Sequence, residues 1–195
     1  FDVSWRHPNK TKPTVVFLYK IVQSKQLMDS YLAYQNKVES EGKFKAQGKN
    51  AGNECRRWHG TKRVCNIGDD PANPTLCTQA GCRLCSILRT SFQVFDPNAG
   101  GRTFNRYGRG IYTHPTSSRA SDYASSVGPA SIYSVIMLTN IIVGQAHKLT
   151  QDNPALTGPP AGYHSVFGES GNAFNYEELV VYNDDAIRPS WLVVY

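Results

Sequence analysis

The chain has 195 residues, 40% of them hydrophobic, and a net charge of +6. That length suits one domain, or one domain with a long insertion, and the apolar content is enough for a real core. No apolar run approaches the length needed to cross a bilayer as a helix, which excludes a membrane-spanning helix as the organising feature. The charge is uneven: residues 1–63 hold 13 of the 21 Lys and Arg but only 5 of the 15 acids. This asymmetry suits either a docking face for nucleic acid or an acidic protein, or an ordinary solvated basic face. The chain opens on Phe1 with no charged-then-apolar leader, so no signal peptide is visible and a fragment or processed product is expected.

Taken in chain order, Pro13 to Val22 (PTVVFLYKIV) reads as a strand from its β-branched and aromatic content. A helix is predicted next over SKQLMDSYLAYQNKVES, where Leu27, Tyr31, Tyr34 and Val38 recur at helical spacing behind a Ser24 cap. The polar, glycine-rich stretch EGKFKAQGKNAGNE reads as a loop, and CRRWHGT opens a compact segment. From Cys65 to about Gly101 the chain is dense in Cys, Pro, Asn and Gly and reads as an irregular insertion, with a short helix at LCSILRTSFQVF. GRGIYTH resumes a strand, SSRASDYASS suits a short helix, and ASIYSVIMLTNIIVGQAHKL suits one or two strands. TQDNPALTGPPAGYHS is a long Pro/Gly loop of the kind that covers a site. EELVVYN and SWLVVY close the chain as strands. Several strands with helices mainly early predict an α+β domain rather than a parallel doubly wound one.

Five cysteines make an odd set, clustered between Cys55 and Cys85, which disfavours disulfide stapling of a secreted fold and favours a reducing, intracellular compartment. Cys65, Cys77, Cys82 and Cys85 form C-x11-C-x4-C-x2-C. The C-x2-C pair is the usual knuckle by which two thiolates grip one tetrahedral ion, and two more cysteines complete a closed structural zinc site. An insertion with few apolar residues gains most from such a clip. The competing reading is a set of free buried thiols acting as small hydrophobes. Cys55 is left over.

WHGT, then GRGIYTHPTSSRASDY, then EELVVYN, in that order and at these separations, resemble the catalytic domain of the poly(ADP-ribose) polymerase family, the diphtheria-toxin-like ADP-ribosyltransferases. LYKIVQSKQLMDSYLAY is similar to the family's strand-then-helix entry, and PPAGYHSVFGESG to the loop before its glutamate strand, so the resemblance covers most of the chain from about Val15 to Tyr195. It implies a mainly antiparallel split β-sheet with early helices, here one domain over 1–195 with 65–101 as a zinc-binding insertion. It also implies that His59 holds a ribose hydroxyl of NAD, and that the Gly60 backbone grips the nicotinamide carboxamide. Tyr112 would be the triad tyrosine, Tyr123 would stack on nicotinamide, and Glu178 would be the catalytic glutamate. The family's serine, eight residues after the first tyrosine, falls on Ala120 here, with Ser118 and Ser121 nearby.

The residue types suit that chemistry in their own right. Breaking the nicotinamide–ribose bond creates an oxocarbenium-like centre, which a carboxylate stabilises while helping to deprotonate an acceptor. Aromatic faces suit a flat cationic ring. No G-x-G-x-x-G follows a strand, so NAD is expected as a consumed substrate rather than a Rossmann-bound hydride carrier. The expectation is therefore an intracellular, monomeric ADP-ribosyltransferase moving ADP-ribose, as a single unit, to a protein or nucleic-acid acceptor, with no membrane partner. Two alternatives stay open at this point: a non-catalytic module that binds NAD or ADP-ribose, and a zinc-stabilised nucleic-acid-binding domain.

Overall fold

A computed structural model describes residues 1–94, 105–126, 131–169 and 177–195. The end of the cysteine-rich segment (95–101) and the residues just before Glu177 lie outside the described residues.

The elements run β1 (Phe17–Lys20), α1 (Lys25–Gly42), β2 (Glu54–Gly60), β3 (Lys62–Arg63), α2 (Arg83–Thr90), β4 (Ile111–Thr113) and α3 (Ser117–Ser121). They continue with β5 (Ser125–Ser126), β6 (Val135–Ile142), β7 (Ala146–Leu149), β8 (Ser165–Gly168), β9 (Glu178–Val181) and β10 (Ile187–Val194). One four-stranded sheet has the order β1-β10-β6-β2 and is antiparallel throughout. A second has the order β4-β9-β8-β7, with only the β7–β8 pair parallel. An isolated bridge between Trp58 and His114 joins the two sheets. This is the expected α+β class, with a mainly antiparallel sheet split in two.

Helix α1 forms where the sequence predicts it. Ser24 Oγ accepts from the Leu27 amide at 3.3 Å, Tyr31 and Val38 turn inward, and Lys43 in the left-handed region ends the helix. Its buried face meets Phe44 and Ile142 in a small satellite core. The stretch predicted as loop after it carries two short 3-10 turns, Phe44–Gln47 and Ala51–Asn53. The Pro/Gly stretch before the glutamate strand ends in β8, which the sequence does not announce.

The main core lies between the two sheets. Met137, Ile141, Ile187, Leu192 and Val194 come from the first sheet, and Ile111, Leu179 and Val181 from the second. Ile67, Leu84 and Phe92 of the cysteine-rich segment join the same cluster. The segment is therefore less dependent on a metal clip than its composition suggests, because its few apolar residues are spent on the shared core.

A two-residue parallel pair, β3 with β5, is secured by Arg63, which is fully buried. Its guanidinium donates to Asp69 Oδ1 at 2.5 Å, to the carbonyls of Ile67 (2.8 Å) and Tyr133 (2.7 Å), and to Ser131 Oγ at 2.7 Å. A buried charge is tolerable only when paired and hydrogen-bonded this fully. Arg63→Met is expected to lower stability by about 3–5 kcal/mol, because it strands Asp69 and two carbonyls. Urea unfolding monitored by circular dichroism checks this, and a loss below about 1 kcal/mol would reduce the network to decoration.

Candidate active site

The site gathers where the two sheets meet. On the second sheet, Tyr112 of β4 sits opposite Val180 of β9, and Glu178 opens β9 opposite Gly168 of β8. Alternation sends Leu179 and Val181 into the main core. Val180 faces the other way, into a cluster with Tyr107 and Val166 lined by Tyr112 and Tyr182. Glu178 shares that parity and is 3% exposed. Glu177 lies just before the strand and is half-buried.

The tyrosines of this wall are bound into it. Tyr112 Oη donates to the Gly108 carbonyl and accepts from the Tyr107 amide, each at 2.9 Å. Tyr182 Oη donates to the Tyr107 carbonyl at 2.5 Å, and burial pushes its phenol well above the ordinary tyrosine range. The Tyr112 hydroxyl thus serves the turn before β4, and its ring and carbonyl are what it offers the site.

On the first sheet, β2 carries His59 and Gly60. The His59 Nδ1 lies 2.9 Å from the Tyr112 carbonyl oxygen. A carbonyl only accepts, so Nδ1 carries the proton and donates it; in the neutral ring Nε2 is then an acceptor. The Phe92 ring meets His59 edge-on, centroids 4.9 Å apart, and so limits its rotation. Gly60 lies on the opposite parity, against α3. A Cβ there would stand 1.8 Å from the Ala120 carbonyl oxygen and 3.0 Å from the Ala124 amide nitrogen. Only glycine admits this approach. Gly60→Ala is expected to cost about 1–3 kcal/mol by lifting α3 from β2, read as a lower Tm; an unchanged Tm would show that the helix yields freely.

Tyr123 follows α3, and its ring lies flat on that of His114, centroids 4.9 Å apart and planes within 2°. His114 exchanges backbone hydrogen bonds with Trp58 at 2.8 and 2.9 Å, which brings this pair beside His59 and Gly60. The Arg119 guanidinium bonds Tyr123 Oη at 2.9 Å and lies 5.0 Å from its ring centre. Neither neighbouring serine substitutes plainly for Ala120: Ser121 Oγ accepts from Tyr195 Oη at 2.9 Å, and Ser118 Oγ accepts from the Arg6 amide at 3.2 Å.

His59 and Gly60 on β2, Tyr112 on β4 and Tyr123 after α3 therefore lie about the junction of the two sheets, and Glu178 opens the strand paired with β4. The sequence reading missed Tyr107, Phe92 and His114. His114 had a signal, since it stands two residues after Tyr112 and so shares its strand face. Phe92 and Tyr107 had none, because each is placed by long-range packing.

The four predicted ligand cysteines also come together. Cys82 caps α2, Cys85 lies in its first turn, and the sulfurs of Cys65, Cys77, Cys82 and Cys85 all fall within 4.8 Å of one another. A tetrahedral zinc with bonds of about 2.3 Å sets its sulfurs about 3.8 Å apart. Cys65 stands 3.8 Å from Cys82 and 3.5 Å from Cys85, so the donor set fits the ion. Burial opposes ionisation of Cys82, but the amides of Val64 and Cys85 and the Cys77 thiol outweigh it and bring the thiol down to about 7. Cys55 stands apart on β2, its thiol raised by burial.

Residues 81–173 match the family described as the poly(ADP-ribose) polymerase catalytic domain, a span that includes Tyr112 and Tyr123. The chain carries a catalytic domain of this family. It is similar to the protein mono-ADP-ribosyltransferase PARP3 of Mus musculus, with 30% identity over 159 residues, 76% of this chain and 25% of the relative. The PARP3 of Homo sapiens is 26% identical over 132 residues, 67% of this chain and 20% of the relative. That of Gallus gallus is 30% identical over 83 residues, 43% of this chain and 14% of the relative. The chain thus spans a quarter or less of the length of these curated relatives. NAD as a substrate fits the family that residues 81–173 match. Among the described residues, no helix is long and apolar enough to cross a membrane.

Proposed function

We propose that this domain is an NAD-dependent ADP-ribosyltransferase that cleaves the nicotinamide–ribose bond and transfers a single ADP-ribose unit to a macromolecular acceptor. The observation that carries the reading is the His59–Tyr112 hydrogen bond, which ties the two sheets together beside the wall that holds Glu178. The single-unit product is supported by the name borne by the relatives, mono-ADP-ribosyltransferase.

In this mechanism the C1′–N bond breaks with its electron pair leaving on nicotinamide, which becomes neutral as positive charge develops on the ribose. The Glu178 carboxylate stabilises that charge, accepts a hydrogen bond from the 2′-hydroxyl and takes the proton of the attacking acceptor. His59 Nε2, with Nδ1–H committed to Tyr112, accepts from a second ribose hydroxyl. The Gly60 backbone holds the carboxamide, and Tyr112 and Tyr123 supply aromatic surface. Held this way, the bond is presented for cleavage rather than searched for. Cys65, Cys77, Cys82 and Cys85 hold a structural zinc that fixes the start of α2, and the clustered thiols suit an intracellular setting.

Incubation with labelled NAD and separate protein, DNA and RNA acceptors tests the reading: label is expected on one class, with release of nicotinamide. Neither transfer nor release would leave the second reading, a module that binds NAD or ADP-ribose without turnover. One observation favours that alternative, namely that position 120 is alanine, while Ser118 Oγ accepts from the Arg6 amide and Ser121 Oγ from Tyr195 Oη.

A further inference from the structure

We infer, on the reading of Tyr123 as the ring that receives nicotinamide, that His114 is a specificity-determining residue of that site. Its imidazole covers the face of Tyr123 on which nicotinamide would stack, so the two rings compete for one seat.

Tyr112 and His114 stand two residues apart and project from the same strand face. The β4–β9 register pairs Tyr112 with Val180 and Thr113 with Leu179, which sets His114 at the level of Glu178. The His114 ring therefore starts from the wall that carries Tyr112 and Glu178. It ends flat on Tyr123, centroids 4.9 Å apart and planes within 2°. The face of Tyr123 turned towards β4 is thus the face it covers. Rings stacked in contact leave no gap for a third, since their carbon atoms already meet at about 3.5–4.0 Å. A ligand ring on that face has to take the place of the imidazole.

Tyr123 is the ring held in place, and His114 the ring that yields. Tyr123 lies between Ala120 and Ala124, whose backbone atoms crowd Gly60, and its amide donates to the Ala120 carbonyl at 3.0 Å. Arg119 bonds its hydroxyl at 2.9 Å, and Asp122 holds Arg119 at 3.0 Å. Lys10 of the N-terminal segment bonds Asp122 in turn. His114 is fixed through its main chain by the two bonds with Trp58, and a turn about its side-chain torsions leaves both intact. That turn gives up one stacked pair, and nicotinamide supplies another of the same kind. The cationic ring of NAD is also attracted to the phenol face, an attraction that the neutral nicotinamide released after cleavage lacks. The competing imidazole therefore weakens product binding more than substrate binding.

His114→Ala is expected to bind nicotinamide about ten-fold more tightly than the wild type in an NMR titration, as when a competent state rises from about a tenth of the population to all of it. His114→Phe restores a ring and is expected to bind no more tightly than the wild type. Added nicotinamide is expected to inhibit His114→Ala more strongly than it inhibits the wild type. In the wild type, nuclear Overhauser contacts between the His114 and Tyr123 rings are expected to fade as nicotinamide is added, while contacts between nicotinamide and Tyr123 appear. This last measurement needs no variant to fold and no turnover. If the His114–Tyr123 contacts persist while nicotinamide lies against Tyr123, or if His114→Ala binds no more tightly, the competition is overturned and the transferase reading stands. A His114→Phe variant that binds as tightly as His114→Ala overturns it as well. Nicotinamide that meets Tyr123 in neither the wild type nor His114→Ala overturns the competition together with the role given to Tyr123. Binding that follows the expected pattern, with no nicotinamide released from NAD, would sink the transferase reading and leave the shared seat standing.

Discussion

Glu178→Gln is expected to slow nicotinamide release from NAD by about 10²–10³-fold, the usual effect of removing one group that stabilises transition-state charge. Glutamine keeps the size of the side chain, but it carries no charge and takes no proton. NAD affinity is expected to change far less, because the oxocarbenium character that the carboxylate answers exists only as the bond breaks. The fold should hold as well: Glu178 begins β9 rather than anchoring its middle, and Leu179 to Val181 supply the strand's packing. The measurement is a steady-state nicotinamide assay with circular dichroism on the same sample. A variant as fast as the wild type would remove Glu178 from the chemistry, and with it the central feature of the proposed site.

The second large effect concerns the cysteines. One zinc per chain is expected by elemental analysis of protein purified without chelator. Cys85→Ala is expected to abolish that stoichiometry and to cost more than about 4 kcal/mol, the range in which loss of a metal is one of few known causes. Cys85 is fully buried, so the substitution also leaves a cavity under α2. The effect should reach the proposed active site by a short route, since α2 ends at Thr90 and Phe92 packs on His59. A rise in KM for NAD is therefore expected in any metal-depleted sample that stays folded. Cys55→Ala serves as the control, because Cys55 lies outside the cluster and its loss should leave the zinc content untouched. Protein that contains no zinc and is as stable after chelation would return the four thiols to the role of small apolar residues.

Much of this architecture can be read from local rules. Ser24 and the spacing of Tyr31 and Val38 announce α1 because a helix is specified by its own cap and stripe. Alternation through ELVV separates Glu178 and Val180 from Leu179 and Val181 without any knowledge of the fold. Local rules fail where pairing is remote. β8 is four residues at the end of a Pro/Gly stretch, and it is a strand only because Leu149 and Glu178 arrive on either side of it. β5 is two serines, paired to β3 beside a buried arginine clamp that no propensity foretells. The cysteine-rich segment misleads differently: its composition suggests a self-contained clip, whereas Ile67, Leu84 and Phe92 belong to the common core. At the site, motif residues are legible and their supports are not, since Phe92 and Tyr107 acquire meaning only against His59 and Gly168.

The contact between Gly60 and Ala120 bears on how this domain can diverge. The atom that crowds position 60 is a backbone carbonyl, so no substitution at 120 makes room for a side chain there. Selection for altered ligand preference has to act through replaceable neighbours, and His114, lying flat on Tyr123, is one of them. An inhibitor that draws its affinity from the Gly60 main chain would therefore be difficult to escape by point mutation. One that leans on the His114 ring would lose its footing with a single change.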